Sequence, residues 1–288
     1  MLAATLIAAP GGLPRALPEA IRARWSGGEV RWLAPGEAAE LPLPEEPADL
    51  RDLWEELQAE GIDLLLQPAA NRRKRMLLAD MDSTMIQQEC IDELAVVAGV
   101  GEHVAAITAR AMNGEIGFEG ALRERVALLK DLPEAVIEEV LRDRITYMPG
   151  GATLLATMKA HGAHAVLVSG GFLSFARPVA AHLGFDEARA NTLLSADGRL
   201  TGEVQEPILG REAKVATLTE VSSRLGLAPQ DVLAVGDGAN DLGMLRLAGT
   251  GVALHAKPAV QAECRLRVNH GDLTALLYLQ GYARDEFA

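Results

Sequence analysis

The stretch Met76-Leu-Leu-Ala-Asp-Met-Asp-Ser-Thr84 decides how this chain is read. An apolar run leads straight into Asp80, and a second aspartate, Asp82, follows two positions later. A short apolar run bounded by polar residues is compatible with a fully buried strand. A strand ending in D-x-D sets two carboxylates at its carboxyl end, where open α/β sheets bind their ligands. If both stay extended, their side chains point the same way. Two like charges that close repel, so one must be held by a cation or keep a proton. One carboxylate then suits nucleophilic attack or metal binding, and the other suits carrying a proton. The plainer reading of the same tripeptide is a strand end followed by an Asp-rich helix cap, so the rest of the chain has to choose.

Two more strand ends carry polar punctuation. Residues 165–168 run into Ser169-Gly170-Gly171, and residues 232–235 run into Gly236-Asp237-Gly-Ala-Asn240-Asp241, each before a helical pattern. Residues 190–204 read as a hairpin turning at Asp197-Gly198. Residues 251–254 and 266–268 read as plainer strands. Strands alternating with helices predict a parallel sheet covered on both faces, with Asp80, Ser169 and Asp237 gathered at one rim. More than 80 residues separate the first two of these strands, far more than a crossover helix needs. Residues 86–146 show helical spacing and are expected to form a lid over the strand ends.

Each rim position has a chemical reading beside a plainer one. Ser169-Gly170-Gly171 before a helix offers a hydroxyl and free N–H groups to a phosphate, or is a simple N-cap. Lys214 opens an apolar-periodic helix and by itself is a surface lysine. In the run at 236–241, two glycines permit a tight turn, and three acidic or amide groups suit Mg²⁺, a hard cation that favours oxygen.

The 288 residues fit one large or two modest domains, and 49% hydrophobic against 23% charged residues is ordinary for a folded protein. A net charge of −13 argues against nucleic acid or an anionic membrane as partner. It also means that a phosphate ligand would need a local cation or a metal. Cys90 and Cys264 match no metal spacing and point to a reducing compartment. Residues 1–10 lack basic residues and are too short for a signal peptide or membrane span, so the expected location is cytoplasmic. Residues 1–70 hold eight of the 14 prolines and all three tryptophans. Their pattern is a strand at 3–8, a helix at 17–25, a strand at 29–33, a Pro-rich stretch at 41–47, a helix at 49–60 and a strand at 62–66. This predicts a small α+β module. The basic run at 71–75 reads as a solvated linker.

Together and in this order, D-M-D-S-T at 80–84, S-G-G at 169–171, Lys214 and G-D-G-A-N-D at 236–241 resemble the haloacid-dehalogenase superfamily of phosphohydrolases. The resemblance spans about residues 76–270. The segment A-M-N-G-E-I-G-F-E-G-A-L-R-E-R-V-A-L-L at 111–129 is similar to the cap of the superfamily's phosphoserine phosphatase branch. The implied fold is a parallel Rossmann-like core at 76–85 and 147–288, with a helical cap at 86–146 inserted after the first core strand. The module at 1–70 is similar in position and pattern to regulatory ACT-like domains of some relatives, and its apolar and aromatic content equally suits a homodimer interface.

The implied activity is Mg²⁺-dependent hydrolysis of O-phospho-L-serine. Asp80 would be the nucleophile, forming an aspartyl-phosphate, and Asp82 the general acid and base. Mg²⁺ would be held by Asp80, the Asp82 backbone carbonyl and Asp237. Ser169, Gly170 and Lys214 would hold phosphoryl oxygens, with Asn240 helping to place them and Asp241 orienting Lys214 or metal-bound water. Glu89 and Arg125 would take the substrate's ammonium and carboxylate, and Met112 and Phe118 would be apolar lid contacts. Met112 and Phe118 also fit ordinary helix packing, and Arg125 an ordinary exposed arginine. Two other activities stay open: hydrolysis or transfer with another small phosphomonoester such as homoserine phosphate, and a non-catalytic metabolite sensor.

Overall fold

The computed structural model describes residues 1–112 and 115–288; residues 113–114 and the side chain of Met112 lie outside the description. The first 70 residues supply β1 (Leu2–Ile7), α1 (Ala16–Trp25), β2 (Arg31–Ala34), β3 (Ala38–Leu43), α2 (Leu50–Ala59) and β4 (Asp63–Pro68). They form an antiparallel sheet in the order β2-β3-β1-β4, the split β-α-β arrangement of ferredoxin-like modules. Side chains alternate across it with the period of two that a strand imposes. Ala4, Leu6, Leu41 and Leu64 pack against Ile21 of α1 and Leu53 of α2. On the other face Ile7, Ala38 and Leu65 join the core of the rest of the chain. The end of β3, residues 41–43, lies in the stretch read from sequence only as Pro-rich. Pro42 is tolerated there because its carbonyl accepts the Gly28 N–H at the outer edge, so the missing N–H is not on the side that pairs with β1.

From residue 76 the chain forms β5 (Met76–Ala79), then α3 (Cys90–Val97), α4 (Gly101–Met112), α5 (Phe118–Ala127) and α6 (Val136–Asp143). There follow α7 (Gly151–Ala160), β6 (His164–Phe172), α8 (Leu173–Leu183), β7 (Glu187–Asn191), β8 (Leu193–Ala196), β9 (Arg199–Val204) and α9 (Arg211–Arg224). The last elements are β10 (Val232–Gly236), α10 (Leu242–Leu247), β11 (Thr250–Leu254), α11 (Pro258–Glu263), β12 (Leu266–Val268) and α12 (Ala275–Leu279). Six strands make a parallel sheet in the order β12-β11-β10-β5-β6-β7. Every residue of β5 and β10 is buried, as central strands covered on both faces require. The chain steps outward from β5 to β7 on one side and from β10 to β12 on the other. The β5/β10 seam is therefore the switch point at whose carboxyl ends a ligand crevice forms.

The helices α3 to α6 leave and return through a narrow neck. Ile86 bridges Tyr147, Gln87 N–H donates to Thr146 O at 2.9 Å, and Met148 N–H donates to Met85 O at 2.9 Å. This two-stranded neck is why the first helix of the 86–146 stretch starts only at Cys90. The β8–β9 hairpin, with Asp197 at φ 52° and Gly198 at φ 73° in its turn, reaches out from the core to the far side of these helices. There Asp131 N–H donates to Leu200 O, Leu200 N–H to Leu132 O, and Glu134 N–H to Gly198 O, each at 2.9 Å.

The basic run at 71–75 is solvated only in part: Asn71, Arg73 and Arg75 are exposed, but Arg72 and Lys74 are anchored. Arg72 forks onto Glu40 at 2.5 Å, and Lys74, 8% exposed, donates from Nζ to Gln230 O at 2.7 Å. Nearby, the fully buried Asp63 accepts the backbone N–H groups of Asn269, His270 and Gly271 at 2.8–3.0 Å. Gln67 donates to Leu279 O at 2.5 Å. These polar anchors fix the module to the core, so both faces of its sheet are covered within the chain.

Candidate active site

At the end of β5 the chain turns through Asp80, Met81 and Asp82 and doubles back, with Met85 and Ile86 N–H both donating to Met81 O. Asp80 is 5% exposed and Asp82 9%. Asp80 Oδ1 accepts the Met81 N–H at 2.8 Å and lies 2.7 Å from Lys214 Nζ. Lys214, in the first turn of α9 and 1% exposed, also reaches Asp241 Oδ1 at 2.6 Å. It is a buried bridge between two carboxylates, not a surface lysine. Burial alone would lower its pKa, but attraction by Asp80 and Asp241 outweighs it and holds the ammonium charged. Burial and the charge of Asp241 push the Asp80 carboxyl well above the usual range, with Lys214 opposing them.

Asp237, at the end of β10, accepts the Thr84 hydroxyl at 3.0 Å. Burial and Asp241 raise its carboxyl to about 6. Carboxylate oxygens of Asp80, Asp237 and Asp241 all lie within 4.8 Å of one another. Three buried carboxylates face one ammonium, leaving an excess of negative charge that a divalent cation would offset. Such an all-oxygen set fits a hard cation. Both Asp241 oxygens already have partners, Lys214 and the Gly238 N–H at 2.9 Å, which matches an orienting place rather than a free ligand.

The Asp82 carboxylate stands apart from that cluster. Its Oδ1 accepts the Cys90 N–H at the start of α3 (2.9 Å), and its Oδ2 accepts the Ser169 hydroxyl (3.0 Å). The Ser169 oxygen in turn accepts Gly171 N–H at 2.8 Å. A Cβ on Gly171 would sit 2.5 Å from Asp82 Oδ2, so only glycine allows this approach. Here the structure departs from the expected N-cap: β6 runs on through Phe172, and α8 begins four residues after Ser169. The S-G-G segment is an irregular strand end, not a helix terminus.

Above this floor lies the helical insertion. Phe118, 38% exposed, opens α5 and rests on two core glycines. A Cβ on Gly170 would meet its Cζ at 3.1 Å, and one on Gly210 its Cδ1 at 3.3 Å. Glu89 accepts the Ser83 hydroxyl at 2.9 Å. Its surface reaches solvent, yet it lies in a crowded cleft facing Asp82, and crowding and that charge raise its carboxyl to about 7. Arg125 is half-buried, with Nε donating to Ala121 O at 3.2 Å. Among the described residues no carboxylate comes within 4 Å of it, while Asp92, Glu89 and Asp82 attract it from farther away. Asn240 is half-buried in the loop after β10. The Met112 side chain, expected as a lid contact, lies outside the described residues.

Three contributors were not singled out from sequence: Thr84, which supports Asp237; Ser83, at φ 56° beneath Glu89; and the Cys90 N–H on Asp82. The first two were legible as hydroxyls inside the D-M-D-S-T stretch. The third is a backbone group and leaves no residue-type signal.

Residues 77–246 match the family model described as haloacid dehalogenase-like hydrolase. The phosphoserine phosphatase of Haemophilus influenzae is 46% identical over 204 residues, covering 71% of this chain and 65% of that protein, just under two thirds of its length. A HAD family hydrolase from Salmonella enterica serovar Typhi superposes with a TM-score of 0.87 at 30% identity, over 99% of both chains, N-terminal module included. A solved phosphoserine phosphatase holding an analogue of the phospho-aspartyl intermediate matches 71% of this chain and 98% of its own, with a TM-score of 0.67 and 40% identity.

Proposed function

The chain belongs to the haloacid dehalogenase-like hydrolase family, and from that premise we propose that it hydrolyses O-phospho-L-serine to L-serine and phosphate with Mg²⁺ as cofactor. The observation that carries this reading is the pairing of an Asp80–Lys214 ion pair below with Glu89 above and Arg125, which has no carboxylate within 4 Å among the described residues. The lower pair suits a phosphoryl group, and the upper pair an ammonium and a carboxylate. Substrates of that shape are what relatives named phosphoserine phosphatase act on.

Asp80 attacks phosphorus as the ester P–O bond breaks, giving an aspartyl-phosphate and the alcohol. Lys214 neutralises charge on the phosphoryl oxygens, the kind of preorganised stabilisation that is largest in a dry site. Asp82 donates its proton to the leaving oxygen. It then takes one from the water that attacks the phosphoryl phosphorus, restoring Asp80 and releasing phosphate. Ser169 and the Cys90 N–H hold Asp82 in place for both transfers. Asp80, Asp237 and the Asp82 carbonyl would hold Mg²⁺, which supplies Lewis-acid polarisation and offsets the phosphate charge. Phe118 seals the cleft against water from its seat on Gly170 and Gly210.

In this reading residues 1–70 are a separate module, 76–85 with 147–288 the core, and 86–146 the cap. A homodimer through the module would use its helices or the β2 edge, since both sheet faces are covered. A cytoplasmic location is supported by two buried, unpaired thiols, Cys90 and Cys264; among the described residues no helix is long and apolar enough to cross a membrane.

The test is phosphate release from O-phospho-L-serine with Mg²⁺ and with EDTA, beside phosphothreonine, phosphoglycolate and homoserine phosphate. EDTA-sensitive release with preference for phosphoserine is expected. Preference for another ester refutes the substrate and keeps the chemistry. A new ester formed from added homoserine would mark a transferase. Silence on all four, with folded protein and bound metal, favours a sensor.

A further inference from the structure

Asn191 ends β7, is 2% exposed, and has no place in the mechanism above. Its side chain is fully engaged in a way that only a carboxamide allows. Nδ2 donates to Gly170 O at 2.8 Å and to Leu209 O at 3.1 Å, while Oδ1 accepts the Leu209 N–H at 2.7 Å. One planar group thereby ties together two segments that are 38 residues apart in the chain. The first, at 169–171, places the Ser169 hydroxyl on Asp82. The second, at 209–210, leads into α9, whose first turn carries Lys214. The same two segments supply Gly170 and Gly210, the floor on which Phe118 rests.

We propose that Asn191 is a positioning residue, an amide clamp that sets the spacing between the Ser169–Gly171 strand end and the start of the Lys214 helix, and with it both the phosphoryl cradle and the seat of the lid. The clamp needs two donors and one acceptor on one short, flat group, and asparagine supplies that set. Aspartate keeps the acceptor for Leu209 N–H but turns a carboxylate toward two carbonyl oxygens. Leucine fills the volume and takes their side-chain partner from one N–H and two C=O groups in a part-buried place. In either case the two segments separate, and a misplacement of about 1 Å in a cradle of this kind costs on the order of 100-fold in rate.

The inference rests on the phosphoryl-transfer reading of the site but not on the identity of the phosphomonoester, so the probe is inorganic phosphate with Mg²⁺. Phosphate affinity is measured by calorimetry on the full chain and on Asn191→Asp and Asn191→Leu, with thermal unfolding and Mg²⁺ affinity alongside. The expected result is a loss of phosphate affinity of about tenfold or more in folded variants, with Mg²⁺ affinity unchanged because Asp80 and Asp237 are untouched. In Asn191→Asp the loss, taken relative to wild type at each pH, should shrink as pH falls and the new carboxyl gains a proton, since it then donates again to a carbonyl. Thermal unfolding followed at the same pH values separates this recovery from a mere regain of folded protein.

Equal phosphate affinity in wild type and folded variants overturns the clamp and leaves the phosphatase reading standing. Losses that simply follow the unfolded fraction make Asn191 structural and also overturn it. Failure of the wild type to bind phosphate at all overturns both.

Discussion

Replacing Lys214 by methionine keeps the alkyl stem and removes the ammonium that holds two carboxylates apart. The side chain is 1% exposed, with Nζ at 2.7 Å from Asp80 and 2.6 Å from Asp241. At an effective dielectric constant of about 20, each contact is an attraction of roughly 6 kcal/mol before desolvation is charged against it. Breaking a buried pair by deleting one partner typically destabilises by about 3–5 kcal/mol, because the remaining charges stay buried and uncompensated. The variant should therefore unfold at clearly lower urea than the wild type. The sign of its pH dependence follows from Asp80, whose carboxyl is already raised in the folded protein by burial and Asp241. Without Lys214 it rises further, so the folded state holds a proton that the unfolded chain has lost. Stability then falls as pH rises above the unfolded carboxyl range of about 4, and the deficit is greater at pH 8 than at pH 5. Mg²⁺ should restore part of it. Turnover should drop by about 10²–10³, the usual effect of losing one preorganised charge partner in the transition state. Urea titrations at both pH values with Mg²⁺ or EDTA, and initial rates of phosphate release, provide the readouts. Unfolding and turnover within about threefold of wild type would refute both the buried bridge and its role.

Other substitutions separate the remaining parts of the site. The kcat/KM for O-phospho-L-serine should rise through an apparent pKa near 7, where Glu89 ionises to receive the ammonium, and Glu89→Gln should lose that limb while a phosphate limb near about 6 persists. Gly171→Ala should cut kcat by roughly tenfold or more, since its Cβ would lie 2.5 Å from Asp82 Oδ2 and move the proton carrier; normal kcat would remove Asp82 from that step. Asp63→Ala removes the acceptor of the Asn269, His270 and Gly271 N–H groups, the last of them buried, and should cost about 2–3 kcal/mol in denaturant unfolding while kcat stays within twofold. Raising the Asp237 carboxyl from 3.8 to about 6 disfavours folding by roughly 3 kcal/mol once the pH exceeds 6. Mg²⁺ should accordingly raise the Tm more at pH 7.5 than at pH 5, and equal shifts would argue against the acidic cluster as the binding place.

The core was legible because buried parallel strands are short apolar runs, and polar residues right after them mark the rim. That is how residues 76–79, 165–168 and 232–235 found β5, β6 and β10, and how Asp197-Gly198 located the hairpin turn. The strand β3 was hidden because Pro42 and its neighbours read only as a Pro-rich stretch, and a proline is acceptable there because β2 does not extend to Pro42's outer side. The linker at 71–75 was read correctly for its exposed residues only: charge says solvent, but Arg72 and Lys74 find partners in Glu40 and Gln230 that are distant in sequence. Residue type likewise pointed to Asp80, Asp237 and Lys214 but not to Asn191, whose side chain acts entirely on backbone groups.

The hairpin bonded to the far side of the lid changes what its turn can tolerate. A tight Asp-Gly turn at a surface tip is ordinarily the first place to accept a tag or a few extra residues. Here the tip is a fastener: Gly198 O receives Glu134 N–H, and Leu200 is bonded in both directions to residues 131 and 132. Lengthening residues 197–198 would unbutton the lid from the core without touching a single residue of the catalytic cleft. Sequences of this kind should therefore keep the hairpin's length in step with the segment at 131–134, and any engineered insertion belongs elsewhere on the surface.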